Sequence, residues 1–334
     1  MKSKKVLLCT SVFYFLTVGN LFACEEVRMG FDIGSGATKT LIANVDYCKN
    51  KILTVLYTDN RAVQYNEDLA KSADNKLSDQ VIAQGETVIK DYLEISKKFK
   101  PKKIYGVATS VFRKASNGKE AIEELTKRTK VKLDVISHQD EALLGYYSAR
   151  AVLDEKSLPA DKNLLSWDIG GGSMQMTVID KYGKPTVYLG DLASVTYKNM
   201  LVEAIQLKDV DKVTSPNPLK KNYDQAVALA RSYSKIHVPK EIKEALKNAV
   251  VVGVGGVHGH SIRNQVKPVG DKFNLDLLKK AAKSQVNKKD KDLTGDYRAT
   301  DVSNLLLVQG FMEGLGIQEV QIVESSLLQG ALFK

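Results

Sequence analysis

Leu164-Leu-Ser-Trp-Asp-Ile-Gly-Gly-Gly-Ser-Met-Gln-Met-Thr-Val-Ile-Asp180 is the stretch that decides how the rest of the chain is read. An apolar run ends at Asp168, three glycines follow, and an alternating run leads out, the pattern of strand, tight turn and strand. Three consecutive glycines let the backbone turn sharply and bring bare N–H groups up to an anion. A plain hairpin would need only a two-residue loop. Gly170, Gly171, Gly172 and Ser173 are therefore candidate phosphate-binding residues. Asp168 closes the first strand and faces the same space. A carboxylate beside a phosphate cradle calls for a divalent cation between them, so Asp168 is a candidate metal ligand, with Mg²⁺ expected and Mn²⁺ or Ca²⁺ as alternatives.

The pattern occurs twice. Met29-Gly-Phe-Asp-Ile-Gly-Ser-Gly-Ala-Thr-Lys-Thr-Leu-Ile-Ala43 carries the same turn, with Asp32 lying 136 residues before Asp168. An internal repeat outranks other fold signals. At this period it predicts two similar domains, each offering one glycine turn across a cleft. Gly34, Ser35 and Gly36 join the phosphate-binding candidates, and Asp32 joins the metal candidates. Lys39 either reaches phosphate or points outward from its strand.

The 334 residues suffice for two domains, and 43% hydrophobic content is ordinary for a globular protein. The formal net charge is +10, and a basic surface suits a polyanionic ligand. Lys2, Lys4 and Lys5 precede an apolar run from Val6 to Val18, and Leu21-Phe-Ala23 resembles a signal-peptidase site. Residues 1–23 are thus read as a signal peptide, and the mature protein as exported, periplasmic or secreted. No later apolar run is long enough to span a bilayer. Cys9 leaves with the signal. Cys24 and Cys48 flank the first glycine turn symmetrically about Gly36, so they would face each other at the open end of a hairpin, within disulfide reach. Leu21-Phe-Ala-Cys24 also partly matches a lipobox, and a lipid anchor on Cys24 would exclude the disulfide.

Val27–Ile33, Thr38–Asp46 and Ile52–Thr58 read as three strands joined by short connections. A helix follows over 78–98, where Leu77, Val81, Ile82, Val88, Ile89, Tyr92 and Ile95 recur at helical spacing before Pro101. Strand 103–109, helix 118–130 and strand 131–137 complete the order β-β-β-α-β-α-β. The second half repeats it with insertions. Strands are expected at 164–168, 174–180, 186–189, 249–254 and 320–323, and helices at 193–206, 221–235, 240–247, 274–285, 299–315 and 327–333. The domain division is 24–138 and 139–323, with a C-terminal helix at about 324–334 packing back on the first domain.

Duplicated β-β-β-α-β-α-β with Asp-x-Gly turns is the pattern of the actin, Hsp70 and sugar-kinase superfamily, an α/β class of two ribonuclease H-like domains with an inter-domain cleft. Four segments carry a closer resemblance: Tyr105-Gly-Val-Ala-Thr-Ser-Val-Phe-Arg113, Ile136-Ser-His-Gln-Asp-Glu-Ala142, Asp168-Ile-Gly-Gly-Gly-Ser173 and Gly253-Val-Gly-Gly256. Together they resemble the exopolyphosphatase / guanosine pentaphosphate phosphohydrolase (Ppx/GppA) family over nearly all of residues 27–333. The resemblance implies a hydrolase of phosphoanhydrides. It gives Glu141 the role of general base and Arg113 that of a phosphate ligand, and it adds Gly255 and Gly256 to the phosphate site. The chain departs from the family pattern at Gly36, where Asn is usual, at Met174-Gln175 in place of Thr-Glu, and at Leu328-Gln329 in place of Arg-Glu. Gln175 resembles the Gly-Ser-Thr-Gln ending of apyrase-like nucleoside triphosphate diphosphohydrolases, and so enters the metal candidates.

The residues themselves support the base assignment in part. Ser137 to Asp140 reads as a capping box, which would occupy Asp140 and leave Glu141, about 100° round the helix, free for the cleft. His258 and His260 do not share a helix face and have no acid or cysteine cluster nearby, so a zinc site is not read there. No P-loop or complete dinucleotide fingerprint is present. The expected partner is polyphosphate, guanosine pentaphosphate or another nucleotide, not nucleic acid, and a homodimer is compatible with this reading. Two rivals remain: a kinase of the same superfamily, which export disfavours because external ATP is scarce, and a non-catalytic polyphosphate- or nucleotide-binding protein marked by the departures. Retention of Glu141 and Asp168 favours the enzyme.

Overall fold

The computed structural model describes residues 24–34, 36–153, 158–159, 162–268, 270–295 and 297–334. The first half builds a five-stranded sheet. Strands β1 (Glu25–Ile33), β2 (Ala37–Asp46) and β3 (Lys51–Ala62) form an antiparallel meander. Helices α1 (Tyr65–Lys71) and α2 (Asp79–Ser96) follow, then β4 (Lys103–Ala108), α3 (Ser110–Lys114), α4 (Gly118–Thr129) and β5 (Lys132–Val135). The strand order is β3-β2-β1-β4-β5, with β4 parallel to both β1 and β5. Alternation drives this arrangement: Met29, Phe31 and Ile33 of β1 are buried in one core with Ile82, Ile89 and Tyr92 of α2. The Ser78 hydroxyl accepts from the Val81 N–H and starts α2.

Helix α5 (His138–Val152) links the halves. The second half then repeats the plan with β6 (Asn163–Ile169), β7 (Met174–Ile179), β8 (Pro185–Gly190), α6 (Ser194–Met200), α7 (Tyr223–His237), α8 (Lys240–Leu246) and β9 (Ala249–Val254). A helical turn over Val257–Ile262 leads into α9 (Arg263–Val266), followed by β10 (Lys272–Asn274), α10 (Leu275–Gln285), α11 (Arg298–Leu315) and β11 (Glu319–Ile322). The six strands run in the order β10-β11-β9-β6-β7-β8. Strand β6 occupies the place of β1, antiparallel to β7 and parallel to β9. The second core gathers Trp167, Met174, Met176, Tyr197, Leu305 and Phe311.

The closing helix α12 (Leu327–Ala331) returns to the first sheet, where Leu328 and Leu332 pack with Leu41, Ala43 and Val45. The architecture is that of two actin-like halves. Several elements differ from the sequence reading. Strand β3 runs to Ala62, four residues past Thr58. The short elements α1, α3 and β10 were not expected, nor was the helical stretch after β9. α1, α3 and β10 are only three to seven residues long, too short for a periodic signal. The expected signal peptide at 1–23 lies outside the described residues. Among them, no helix is long and apolar enough to cross a membrane.

Candidate active site

Both glycine turns sit at the carboxyl ends of their central strands, where open α/β sheets bind ligands. Their construction is the same. The Gly34 N–H donates to the Ala37 carbonyl at 2.9 Å, and the Gly170 N–H donates to the Ser173 carbonyl at 2.9 Å. Cross-strand register places Asp32 opposite Lys39 and Asp168 opposite Gln175. The repeat is therefore physical as well as sequential, and the two halves differ in what faces each aspartate.

That difference sets the electrostatics. Lys39 Nζ lies 3.6 Å from Asp32 Oδ2, so its side chain turns to the site rather than outward. Burial pushes the Asp32 carboxyl up, Lys39 pulls it down, and the Glu141 charge pushes it up again. Asp168 faces a neutral amide. Burial first, and then the Glu141 charge, raise its carboxyl to about 6. Glu141 is thus close enough to both aspartates to act on each.

Glu141 sits in the first turn of α5. The Ser137 hydroxyl accepts from the Asp140 N–H at 3.1 Å and lies 2.8 Å from Asp140 Oδ2, so the cap holds Asp140 at the helix start. Glu141 Oε2 takes an ion pair from Arg113 Nη2 at 2.8 Å. Arg113 Nη1 also donates to the Ile136 carbonyl at 2.8 Å. Arg113 is carried by α3, directly after β4, and Ile136 follows β5. Two strand ends of the first sheet thereby fix the guanidinium against the carboxylate. Arg113 is engaged with Glu141 here, where the family resemblance gives it phosphate. Donors of the same fork would have to turn to phosphate when substrate enters.

The remaining candidates divide by location. The Gly36 carbonyl accepts from the Val63 N–H, which anchors the first turn to the start of α1. Ser35 lies outside the described residues. The Gly170 and Gly171 carbonyls accept from the Ser194 and Val195 N–H groups, which back the second turn with α6. Gly172 is exposed and Ser173 half-buried. The Gln175 amide Nε2 donates to the Ser173 hydroxyl at 3.0 Å, which leaves its carbonyl oxygen as the ligating atom. Gly255 adopts φ +80°, and a Cβ there would come 2.0 Å from Asp168 Oδ1. Its bareness makes room for the Asp168 carboxylate, a task distinct from cradling phosphate. Gly256 lines the cavity described below. Cys24 and Cys48 are joined by a disulfide at the far end of the β1–β2 hairpin.

Asp32, Asp168 and the Gln175 carbonyl offer oxygen donors only, and the buried Asp168 has no cation opposite it in register. That chemistry fits a hard divalent ion. Among the described residues, no three Asp, Glu, His or Cys ligand atoms of this site lie within 4.8 Å of one another. The residues therefore suit an ion that keeps waters or substrate oxygens, as Mg²⁺ does, rather than an all-protein cage.

A cavity of about 780 Å³ opens beside the second turn, lined by Gly170 and Gly171 and reaching Gln265, Asp301 and Asn304. These polar residues were not anticipated. Asp301 and Asn304 stand one turn apart on α11, among other polar residues such as Thr300, Ser303 and Gln309, so nothing local singles them out.

A sequence model of the Ppx/GppA phosphatase family matches residues 41–254. A curated relative, the bifunctional 3-dehydroquinate synthase/phosphatase of Fusobacterium nucleatum, is 30% identical over 162 residues, covering 47% of this chain and 24% of that protein. The chain thus spans about a quarter of the length of the curated relative it matches. Among solved structures, the Ppx/GppA family member of Aquifex aeolicus superposes with a TM-score of 0.71 at 17% identity, covering 92% of this chain and 97% of the other. An exopolyphosphatase from Cytophaga hutchinsonii gives 0.62 at 16%, covering 92% and 97%.

Proposed function

The chain belongs to the Ppx/GppA phosphatase family, and from that premise we propose that it is an exported phosphoanhydride hydrolase removing terminal phosphate from inorganic polyphosphate or guanosine pentaphosphate. The observation that carries this reading is the convergence at Glu141, whose charge acts on an aspartate from each half of the molecule while Arg113 holds its carboxylate. Export is supported by the basic-apolar leader pattern and by the disulfide, which persists in oxidising compartments.

In this mechanism the glycine turns offer backbone N–H groups to the phosphate chain, and Lys39 adds charge from the first half. Glu141 takes a proton from a water held in line with the terminal phosphorus. The water oxygen bonds to phosphorus, the bond to the bridging oxygen breaks, and inorganic phosphate leaves with a shortened chain. Arg113 orients Glu141 and supplies a planar donor fork for the equatorial oxygens. A divalent cation, held by Asp168, Asp32 and the Gln175 carbonyl, would neutralise phosphate charge when bound.

Phosphate release from a panel of polyphosphate, guanosine pentaphosphate, nucleoside triphosphates and a phosphomonoester, each with Mg²⁺, Mn²⁺ or Ca²⁺, tests the proposal. Turnover of anhydrides over the monoester is expected. Turnover confined to the monoester would remove the anhydride reading. Gln175 favours a second reading, an apyrase-like nucleoside triphosphate hydrolase, which the same panel would reveal as a preference for ordinary nucleotides.

A further inference from the structure

A sheet edge presents unpaired backbone N–H and C=O groups, and native edges are guarded by short strands, charge, proline or a cover. Three of the four sheet edges among the described residues are guarded in that way. Strand β5 has four residues and opens with Lys132, β10 has three and opens with Lys272, and β8 opens with Pro185. Strand β3, the outer strand of the first sheet, differs. It runs for 12 residues, about twice the usual strand length. Its segment Ile52-Leu-Thr-Val-Leu-Tyr-Thr58 holds no charge, proline or glycine.

The side chains along this edge are equally unguarded. Leu53, Val55 and Leu56 are 41%, 51% and 36% exposed. Among the described residues, no other strand exposes more than one large hydrophobic side chain. Two register shifts leave Leu53 and Leu56 without partners on β2, and such bulges re-aim side chains. Val55 pairs with Ala43, so it shares the face on which α12 covers Leu41, Ala43 and Val45. That cover extends to Ile52 and stops short of Val55.

We propose that β3 is a homodimer interface, in which two copies join their β3 edges antiparallel about a two-fold axis at Val55. A second copy is the occupant because the strand complements itself. Pairing about Val55 sets Lys51 of each copy opposite Asp59 of the other, and opposite charges in that position attract. It also sets Leu53 opposite Tyr57, and Val55 opposite its own counterpart. A slip of one residue, to an axis at Leu56, would set Lys51 opposite Arg61 and repel. The same patch on both sides is what a closed two-fold dimer requires, and joined edges leave no template for a third chain. The interface is independent of the chemistry at Glu141.

Sedimentation of the intact protein at micromolar concentrations should give a particle of twice the chain mass. Val55→Lys places two like charges on the axis at a half-exposed position, and should sediment as a monomer whose circular dichroism matches the wild type. Lys51→Glu and Asp59→Lys should each weaken association roughly tenfold, since both copies then carry like charges across the axis. The double variant exchanges the two charges and should restore the dimer, which a merely structural role for either residue would not do. Under mild oxidation Val55→Cys should crosslink two copies, whereas Ile236→Cys, at a position 74% exposed on α7, should not. If Val55→Lys does not fold, the charge exchange and the crosslink decide. A monomeric wild type, a dimer that survives Val55→Lys, a charge exchange that fails to restore association, or equal crosslinking at both cysteine positions would overturn the edge dimer.

Discussion

At the scale of single residues, Glu141 and His258 are set up in opposite ways. Glu141 is held by Arg113 and faces two aspartates. Replacing it with Gln keeps its shape and removes its basicity. Glu141→Gln should lower kcat on the best substrate by roughly 10²–10⁴ while binding persists. Unchanged turnover would take Glu141 out of the mechanism. His258 is fully buried between Trp167 and Phe273, with neither ring nitrogen hydrogen-bonded. Burial drives its imidazole down to about 3. The unfolded chain protonates this group below about 6.5 while the folded chain does not, so stability is full above that pH. It is lost as pH falls towards 3, at about 1.4 kcal/mol per pH unit from this residue. The raised carboxyls of Asp32, Asp168 and Asp301 have the opposite sign, so the wild type alone does not isolate it. His258→Leu should match or exceed wild-type stability at pH 8 and lose less between pH 6.5 and 4, measured by urea melts. Parallel losses in the two proteins would show that His258 does not titrate on unfolding. Residue spacing alone argues against a metal on His258. Its full burial is not readable from spacing, because that depends on Gly253, whose bare Cα lets the ring lie against the strand.

At the scale of elements, the first hairpin carries Asp32 and a glycine turn at one end and a disulfide at the other. The bridge closes a separation of 24 residues, for which the chain-entropy account gives about 3 kcal/mol. Cys48→Ser should therefore melt lower under oxidising conditions and keep its kcat, since the turn itself is secured by the Gly34 and Gly36 bonds. An unchanged melting temperature would mean that the bridge adds nothing to this fold. Symmetric spacing about Gly36 makes the pair legible in the amino-acid sequence. The long strands are legible for a similar reason, because alternation over Met29–Ile33 or Met174–Val178 reports one buried face. Helix α5 is legible only at its start, through Ser137 and Asp140. The ion pair between Arg113 and Glu141 joins residues 28 apart on separate elements, and nothing local announces it.

At the scale of the whole molecule, the two sheets are coupled by a pair of helices. Helix α5 leaves the first sheet for the second, and α12 returns from the second to the first. Leu328 and Gln329 stand where the family resemblance expected an Arg-Glu pair, and their present roles are structural. Leu328 is buried against Leu41, Ala43 and Val45 of β2, in a cluster separate from the core under α2, and the Gln329 side-chain carbonyl accepts from the Ser326 N–H and hydroxyl to cap α12. Between the helices, the Gly330 N–H donates to the Ser148 hydroxyl at 2.8 Å, and a Cβ at Gly330 would lie 2.4 Å from the Leu144 carbonyl oxygen. The backbones are therefore in direct contact. On the other side of α5, Gly145 faces Asp168 Oδ2, and Glu141 lies one turn earlier. A methyl group at Gly330 has to push α12 off α5 or push α5 towards β6. Gly330→Ala should cost about 1–3 kcal/mol of stability, as overpacking does, and should lower kcat as Glu141 moves relative to Asp168. Gln329→Ala, which loses only a cap, should cost about 1 kcal/mol and leave kcat in place. Thermal melts alongside turnover numbers decide the matter. If Gly330→Ala lowers stability with kcat intact, α12 supports the fold without setting the position of the base. A joint loss would show that the two halves are held in catalytic register by this helix pair.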